Sequence, residues 1–158
     1  MEEVYPRQPR TDIPGVFLKE GGKGRVVYFP WDADRTFWEV LSPDHGKLLA
    51  NAVDWASNEV RPVNVTGPGV LDVTVWRQAQ SLTVHMVNLT NPMMMKGPFR
   101  EILPVGEQRI RVRLPENTKP RKVQFLVQGS QPQFREVPGG IEFIVPAIHL
   151  HEVAAIDL

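Results

Sequence analysis

The sequence predicts a mainly β protein in which an antiparallel β-sandwich of about seven or eight strands follows a short β-β-α segment. Fifteen Pro and twelve Gly are spread along the 158 residues, which divides the chain into short segments and disfavours a helical bundle. From residue 63 onward, apolar and polar side chains alternate with a period of two, and Gly, Pro and Asn turns separate the alternating segments. We therefore predict an extended arm over 1–12, a strand-helix segment over 13–60 and the antiparallel sandwich over 63–158.

The alternation in the predicted sandwich assigns an inward side chain to every second position of five segments. The inward positions are Leu71, Val73, Val75, Leu82, Val84, Met86, Ile110, Val112, Leu114, Val123, Phe125, Val127, Ile141, Phe143 and Val145. On the first of these segments, the same period turns Trp76 outward, beside Asp72 and Thr74.

Two strand segments precede the predicted helix. Residues 14–20 suit a short strand, and a Gly-rich turn over 21–24 follows them. The run 25–29 contains four apolar residues in succession and ends at Pro30. Because a short apolar run between turn signals is typical of a fully buried strand, we predict that 25–29 is buried.

One helix is predicted, over about 43–57. Ser42 is a favourable N-cap, Pro43 occupies the first helical position, and Asp44 suits the positive end of the helix. Asn58 marks the end of the helix. The apolar stripe of this helix consists of Leu48, Leu49, Ala52, Val53 and Ala56.

The composition argues against several classes of protein. Eighteen basic and eighteen acidic side chains give a formal net charge of zero, so we expect neither nucleic acid nor a membrane as partner. The absence of cysteine excludes a disulfide scaffold, a thiolate zinc site and a cysteine nucleophile. No apolar run approaches the ~20 residues of a membrane span, and the first residues do not resemble a secretory signal. We therefore expect a cytoplasmic protein, and no motif predicts a cofactor.

Two stretches of the sequence have the features of a known family. Residues 24–59 contain the letters YFPWD at 28–32, and residues 65–92 end in VNLTNP at 87–92. Together these stretches resemble the C-terminal part of large bacterial β-galactosidase-like glycoside hydrolases. Such enzymes consist of a catalytic TIM barrel, an α/β domain of the trimerisation type and a small terminal β-sandwich.

The resemblance implies that 13–60 is the last strand and helix of the α/β domain, and that 63–158 is the terminal sandwich. It covers only the non-catalytic end of the family. Glycoside hydrolysis uses two carboxylates about 5 Å apart for retention, or about 6.5–9.5 Å apart for inversion, and in this family a barrel holds them. Because no part of this sequence predicts a barrel, we predict no catalytic residue in the chain.

The first candidate ligand site consists of Trp31, Asp32 and Arg35, directly after the predicted strand 25–29. In α/β sheets, ligands bind beyond the carboxyl ends of the strands. Trp31 would stack on a sugar ring, while Asp32 and Arg35 would hydrogen-bond its hydroxyl groups. The resemblance implies that these residues lie near the rim of a substrate site. The alternative is an ordinary loop in which Asp32 and Asp34 pair with Arg35.

Tryptophans supply the second candidate. The outward position of Trp76 suits either sugar stacking or packing against the N-terminal segment. Trp38 and Trp55 are expected in the core or at a domain interface.

Two histidines raise the question of a metal. His149 and His151 have the spacing that places two imidazoles on one face of a strand. A hydrogen-bonded pair is the preferred interpretation, and a metal site would need a third ligand such as His85 or a carboxylate. We predict no bound metal.

Two further patterns have a structural and a functional interpretation. Arg109, Arg111 and Arg113 form a basic strand face, which suits a solvated surface with cross-strand ion pairs or, less well, a polyanion contact. The run Met93–Met95 suits local packing or an interface.

The preferred function is a non-catalytic accessory or oligomerisation module of a glycoside hydrolase-like protein. Its expected partners are a catalytic barrel domain or further copies of the chain, with a carbohydrate nearby. The alternatives are a freestanding carbohydrate-binding sandwich and a small metal-dependent enzyme. If the preferred function is right, residues 13–60 expose the apolar flanks of strand 25–29 and the isolated chain self-associates.

Overall fold

A computed structural model describes residues 11–40, 42–90 and 101–158, and the chain divides into two compact units between Val60 and Arg61. The first ten residues of the predicted arm and the run Met93–Met95 lie outside the described residues. In the described ranges, no helix has the length and apolar character needed to cross a membrane.

The first unit consists of a β-hairpin and two helices. The strands β1 (Phe17–Gly21) and β2 (Gly24–Tyr28) pair antiparallel, with Phe17 opposite Tyr28 and Gly21 opposite Gly24. Gly22 takes a positive φ of 58°, which lets the chain reverse over two residues. The helices α1 (Ala33–Val40) and α2 (Pro43–Ser57) follow, and α2 contacts both α1 and β2.

Helix α2 lies where the sequence predicts it. Pro43 starts the helix, and Asn58 ends it in the left-handed conformation, with its N–H bonded to the carbonyl of Asp54. The Ser42 side chain makes no capping hydrogen bond. The predicted apolar stripe was wrong at Val53, which is 64% exposed. The half-buried positions of the helix are His45, Gly46, Leu48, Leu49, Ala52, Trp55 and Ala56.

Helix α1 was missed, because its residues were interpreted as a loop. The helix has only eight residues and no strong N-cap pattern beyond Asp32, whose carbonyl accepts the N–H of Thr36 at 2.9 Å. Its signal in the sequence is the pair Arg35 and Glu39, which are spaced one helical turn apart.

The prediction that strand 25–29 is buried was wrong. Val26 and Tyr28 are 57% and 59% exposed, whereas Arg25 and Val27 on the opposite side are half-buried. The reason is that β1 and β2 form a two-stranded sheet, and the contacts of β2 with α2 cover a single face. A continuous apolar run therefore marks a strand with two apolar faces, only one of which is covered in this unit.

The second unit is an antiparallel β-sandwich, which confirms the predicted fold class. Its strands are β3 (Val63–Thr66), β4 (Leu71–Arg77), β5 (Ser81–Asn88), β6 (Gln108–Arg113), β7 (Lys122–Phe125), β8 (Phe134–Val137), β9 (Gly140–Val145) and β10 (His151–Asp157). They form two four-stranded sheets, which we call the first sheet (β3-β6-β9-β8) and the second sheet (β4-β5-β10-β7). All pairings between neighbouring strands are antiparallel.

The core lies between the inner faces of these two sheets. Its buried members are Leu82, Val84, Met86, Val105, Ile110, Val112, Val123, Phe125, Ile141, Phe143, Val145, Ile148, Ala154 and Ile156. Most of these positions follow from the alternation in the sequence. Val127 does not belong to the core, because β7 ends at Phe125 and Val127 is exposed in the loop that follows.

Candidate functional site

Trp31 connects the hairpin of the first unit to its helices. The indole N–H donates a hydrogen bond of 2.7 Å to the carbonyl of Gly15. The ring lies edge-on to Phe29, with centroids 5.9 Å apart, and 5.6 Å from the ring of His45 in α2. These contacts satisfy the polar atom of Trp31 and leave part of its ring open to solvent.

His45 adds an unusual feature beside this indole. Its Nδ1 atom is buried and, within the part of the chain that the structure describes, has no hydrogen-bond partner. Because His45 lies in the first turn of α2, backbone N–H groups without helical partners are near it in the sequence. The Trp31–His45 contact therefore combines packing with one unused polar atom.

Asp32 and Arg35 are both exposed at the start of α1. The helix places Arg35 one turn before Glu39, and the two side chains form an ion pair with an Nε–Oε1 distance of 2.8 Å. The alternative prediction, in which Arg35 pairs with Asp32 and Asp34 in a loop, was therefore wrong. Trp31, Asp32 and Arg35 fall within five positions at one end of α1, and their role in binding stays a prediction.

The four tryptophans differ in their contacts. Trp31 is engaged as described, and the ring of Trp55 is covered by the Arg25 guanidinium, 5.2 Å from the ring centroid. Trp38 and Trp76 are 61% and 64% exposed. Among the described residues, neither indole has a hydrogen-bonding, cationic or aromatic partner. Trp38 therefore does not belong to the core of its unit, and Trp76 points outward from β4 as predicted.

The outer face of the second sheet surrounds Trp76. Strand register places Trp76 opposite Thr83 of β5, Thr83 opposite Ala155 of β10, and Ala155 opposite Gln124 of β7. Residues directly opposite one another share a face of the sheet, so these four side chains form one row. We call this row the Trp76 row.

The buried carboxylate of Glu152, which the sequence did not identify, fixes a loop of the sandwich. The Glu152 carboxylate is fully buried and accepts three backbone N–H groups, from Val127 at 2.9 Å, Gln128 at 3.1 Å and Val153 at 2.9 Å. This arrangement satisfies a buried charge through hydrogen bonds. Glu152 therefore holds the loop after β7 in place.

Asn88 and Gln108 act in the same way. The Asn88 amide donates to the carbonyls of Leu103 and His149 at 2.8 and 2.7 Å, and its oxygen accepts the N–H of Thr90. The Gln108 amide donates to the carbonyl of Pro68 at 2.9 Å. These long-range partners show that both residues have a structural role.

The two histidines do not share a strand face. His149 lies in a bend, and β10 begins only at His151. No group of three or more His, Asp or Glu side chains in 11–40, 42–90 and 101–158 has an arrangement that could hold a metal. His85, the suggested third ligand, lies 3.2 Å from the Thr83 hydroxyl through its Nε2 atom.

The arginine face of β6 is compensated by an acid of β9. Glu142 lies opposite Arg111 and forms ion pairs with Arg109 at 3.5 Å and with Arg135 of β8 at 2.6 Å. Arg111 donates to the carbonyl of Pro138. This geometry corresponds to the cross-strand interpretation of the basic face.

Clefts indent the sandwich at several places. One of about 350 Å³ lies between β3 and β4 and includes Val63, Leu71 and Gln108. A second, of about 480 Å³, lies at the turn between β4 and β5. A third, of about 670 Å³, follows the loop after β6. The second cleft includes Ser81 and Asp157, which lie two residues along their strands from Thr83 and Ala155 of the Trp76 row.

The hairpin of the first unit has an exposed apolar face, which we call the hairpin face. It consists of Phe17, Val26 and Tyr28, and the Phe17 and Tyr28 rings lie 6.1 Å apart. Register places Lys19 opposite Val26 on this face. The expectation that strand 25–29 exposes an apolar flank agrees with this geometry.

No protein-family model matches the sequence, and no curated protein matches it. Among solved structures, the chain is similar to α-L-fucosidase isoenzyme 2 from Paenibacillus thiaminolyticus, with a TM-score of 0.69 and 19% identity. That likeness covers 91% of this chain and 22% of the fucosidase chain. A second likeness, with a TM-score of 0.46 and 14% identity, covers 60% of this chain and 16% of a cycloisomaltooligosaccharide glucanotransferase from Paenibacillus sp..

The fucosidase likeness shows a shared fold that includes both units of this chain. This chain spans about a fifth of the fucosidase, 22% of its length. At 19% identity this likeness concerns the fold alone, and it does not single out the β-galactosidase-like group.

Proposed function

We propose that the chain is a non-catalytic accessory module of a glycoside hydrolase-like protein, and that its first unit docks on a catalytic domain or on a second copy of the chain. The hairpin face is the observation that supports this proposal. An aromatic pair and a valine stand exposed on a two-stranded sheet, and such an apolar face is typical of a surface that a partner covers.

The packing of the first unit supports the same proposal. Ala33 is its one buried apolar side chain among the described residues. A two-stranded hairpin is at best marginally stable alone, and three or more strands or further packing are needed to stabilise a sheet. The first unit therefore gains stability when another element covers the hairpin face.

The β-galactosidase-like resemblance gives the proposal its finer form. In that form, 13–60 is the end of an α/β domain of the trimerisation type and 63–158 is a terminal sandwich, while the catalytic barrel belongs to another part of the protein or to a partner. The fold shared with part of the fucosidase supports this arrangement.

We place Trp31, Asp32 and Arg35 near the rim of the substrate site in this proposal. Trp31 is held by Gly15 and Phe29 with part of its ring exposed, and Asp32 is exposed beside it. A rigid indole next to the exposed Asp32 carboxylate suits contact with a sugar. These residues would position substrate and take no part in bond cleavage.

Size-exclusion chromatography with light scattering tests the docking surface. The isolated chain is expected to self-associate in a concentration-dependent manner, because the hairpin face lacks its partner. The double variant Val26→Lys/Tyr28→Lys places two charges on that face and is expected to be monomeric. Leu150→Lys is the control, since it adds a single lysine at a similarly exposed apolar position of the sandwich.

Two results would contradict the proposal. One is a parent chain that stays strictly monomeric at the highest concentrations and does not bind a catalytic domain supplied separately. The other is equal dissociation of the oligomer by Leu150→Lys, which would move the interface to the sandwich.

A further inference from the structure

We propose that the outer face of the second sheet binds a neutral oligosaccharide, with Trp76 as the stacking residue and the cleft at the β4–β5 turn as the hydrogen-bonding part of the site. This site belongs to the second unit and goes beyond the accessory function proposed above. It does not depend on the hairpin face.

The exposure of Trp76 has no explanation in the packing of the sandwich. Val75 and Val73 of the same strand contribute to the core, which closes without the indole. Trp76 is 64% exposed, so its indole presents a large flat apolar face on which a ligand ring can stack. The indole therefore points to a binding surface.

The Trp76 row gives a ring-shaped ligand room beside the indole. Thr83 and Ala155 follow Trp76 across the sheet, and both side chains are small. Neighbouring strands lie about 4.8 Å apart, so the four residues of the row extend over roughly 14 Å. A short oligosaccharide would lie along this row with one sugar ring on the indole.

Apolar and polar groups alternate on the surrounding face. Val87 lies between Asp72 and His151, and Val153 lies opposite His85. A sugar presents apolar C–H faces and polar hydroxyl groups side by side. A surface on which apolar and polar groups alternate therefore suits a sugar better than it suits a protein partner with a continuous apolar patch.

The charge of the row indicates a neutral ligand. None of Trp76, Thr83, Ala155 and Gln124 carries a formal charge. The nearest lysine, Lys122, donates to the amide oxygen of Gln124 at 3.0 Å. A polyanion would instead need a cluster of basic side chains, which this row does not have.

The cleft at the β4–β5 turn is the second observation that points to a ligand. It is an open surface cleft of about 480 Å³, and the polar residues that line it are Gln78, Gln80, Ser81, Arg121 and Asp157. Ser81 of β5 and Asp157 of β10 are directly opposite each other. Ser81 precedes Thr83 of the Trp76 row by two residues, and Asp157 follows Ala155 by two residues. Two residues along a strand correspond to about 7 Å, so a sugar stacked on Trp76 reaches the cleft with its neighbouring unit.

The turn itself is ordered by its own polar groups. The Gln78 N–H donates to the carbonyl of Ser81 at 2.8 Å, and the Ser81 hydroxyl donates to the Gln78 side-chain oxygen at 3.1 Å. These bonds hold the Gln78 amide at the mouth of the cleft, which lowers the entropy cost of binding a ligand there.

Affinity electrophoresis and titration calorimetry test this site. The complete chain is run in gels that contain galactan, xylan, mixed-linkage β-glucan or dextran, and is titrated with the corresponding hexasaccharides. At least one polysaccharide is expected to retard the chain, and its hexasaccharide to bind. Trp76→Ala is expected to weaken that binding by about tenfold or more, since it removes the stacking surface. Asp157→Asn is expected to weaken binding several-fold.

Trp38→Ala is the matched control, because Trp38 is exposed to the same extent but lies on α1. It should bind sugar like the parent. The lysine double variant of the hairpin face should do so too, which separates this site from the docking surface. The proposal is overturned if none of the probes binds the parent chain, or if Trp76→Ala and Trp38→Ala bind equally well.

Discussion

The chain contains two aromatic pairs of nearly the same geometry in opposite environments. The Phe125 and Phe143 rings of the sandwich lie 6.0 Å apart and are almost completely buried. The Phe17 and Tyr28 rings of the hairpin lie 6.1 Å apart and are about half exposed. The first pair joins the two sheets of a closed core, whereas no element within 11–40, 42–90 and 101–158 covers the second pair.

The two units therefore depend differently on what surrounds them. The sandwich buries a cluster of fourteen apolar side chains between its own two sheets, whereas its other apolar side chains lie on its surface. The hairpin unit leaves Leu18, Val26, Trp38 and Val53 largely exposed. Since exposed apolar surface of this kind weakens a fold and favours association, the first unit is the part of the chain that we expect to be completed by a partner.

The comparison of the two phenylalanines gives the largest expected effect. Phe125→Ala should lower the free energy of unfolding of the sandwich by about 3–5 kcal/mol, because it leaves a cavity in a closed core. Phe17→Ala should lower the free energy of unfolding of the first unit by less than about 1 kcal/mol, because the side chain already contacts water. Urea denaturation of the parent and of both variants measures the difference.

A large decrease in the free energy of unfolding on Phe17→Ala would contradict this contrast between the two units. It would mean that the hairpin face is covered within the isolated chain, and association of copies would be the first cause to examine. Repeating the measurement at several protein concentrations separates the two cases, since only an associating chain shows concentration-dependent stability.

The same contrast explains how much of the fold could be predicted from the sequence. Alternation located the core of the sandwich, and Pro43 with Asn58 located α2, because both signals are local. The burial of 25–29 could not be predicted, because a strand with two apolar faces has the same residue pattern whether the element that covers its second face lies in this chain or outside it.

The site residues followed the same rule. The outward direction of Trp76 followed from the period of its own strand. The contact of Trp31 with Gly15 joins residues that are sixteen positions apart, and the partners of Glu152 and Asn88 are up to 61 positions away. No local pattern predicts such distant partners, so these hydrogen bonds became visible only in the folded chain.

Two glutamates test the comparison at the level of hydrogen bonds. Glu152→Gln should lower the free energy of unfolding by about 2–3 kcal/mol, because an amide nitrogen cannot accept all of the backbone N–H groups that the buried carboxylate accepts. Glu39→Gln in α1 should change it by about 0.5 kcal/mol or less, because its pair with Arg35 is exposed.

Thermal unfolding and amide hydrogen exchange measure this pair of variants. In Glu152→Gln, the amides of Val127 and Gln128 should exchange faster, since the loop after β7 loses its anchor. Equal thermal stabilities of the two variants would show that the buried carboxylate has no special structural role.

Ser42 is the N-cap that the sequence predicts for α2, but its side chain makes no capping hydrogen bond in the structure. Its substitution therefore has the smallest expected effect. An N-cap serine that bonds the first turn contributes about 0.5–2 kcal/mol. The Ser42 side chain makes no such bond, so Ser42→Ala should change the free energy of unfolding by less than about 0.5 kcal/mol.

Thr90→Val in the sandwich removes a hydroxyl that accepts the N–H of Val70 at 2.9 Å, and it should lower the free energy of unfolding by about 1 kcal/mol. Amide exchange in the first turn of α2 and before β4 reads the two changes separately. A loss of about 1 kcal/mol or more in Ser42→Ala would mean that Ser42 caps α2 in solution, so that the first unit holds its helix more firmly than its open packing indicates.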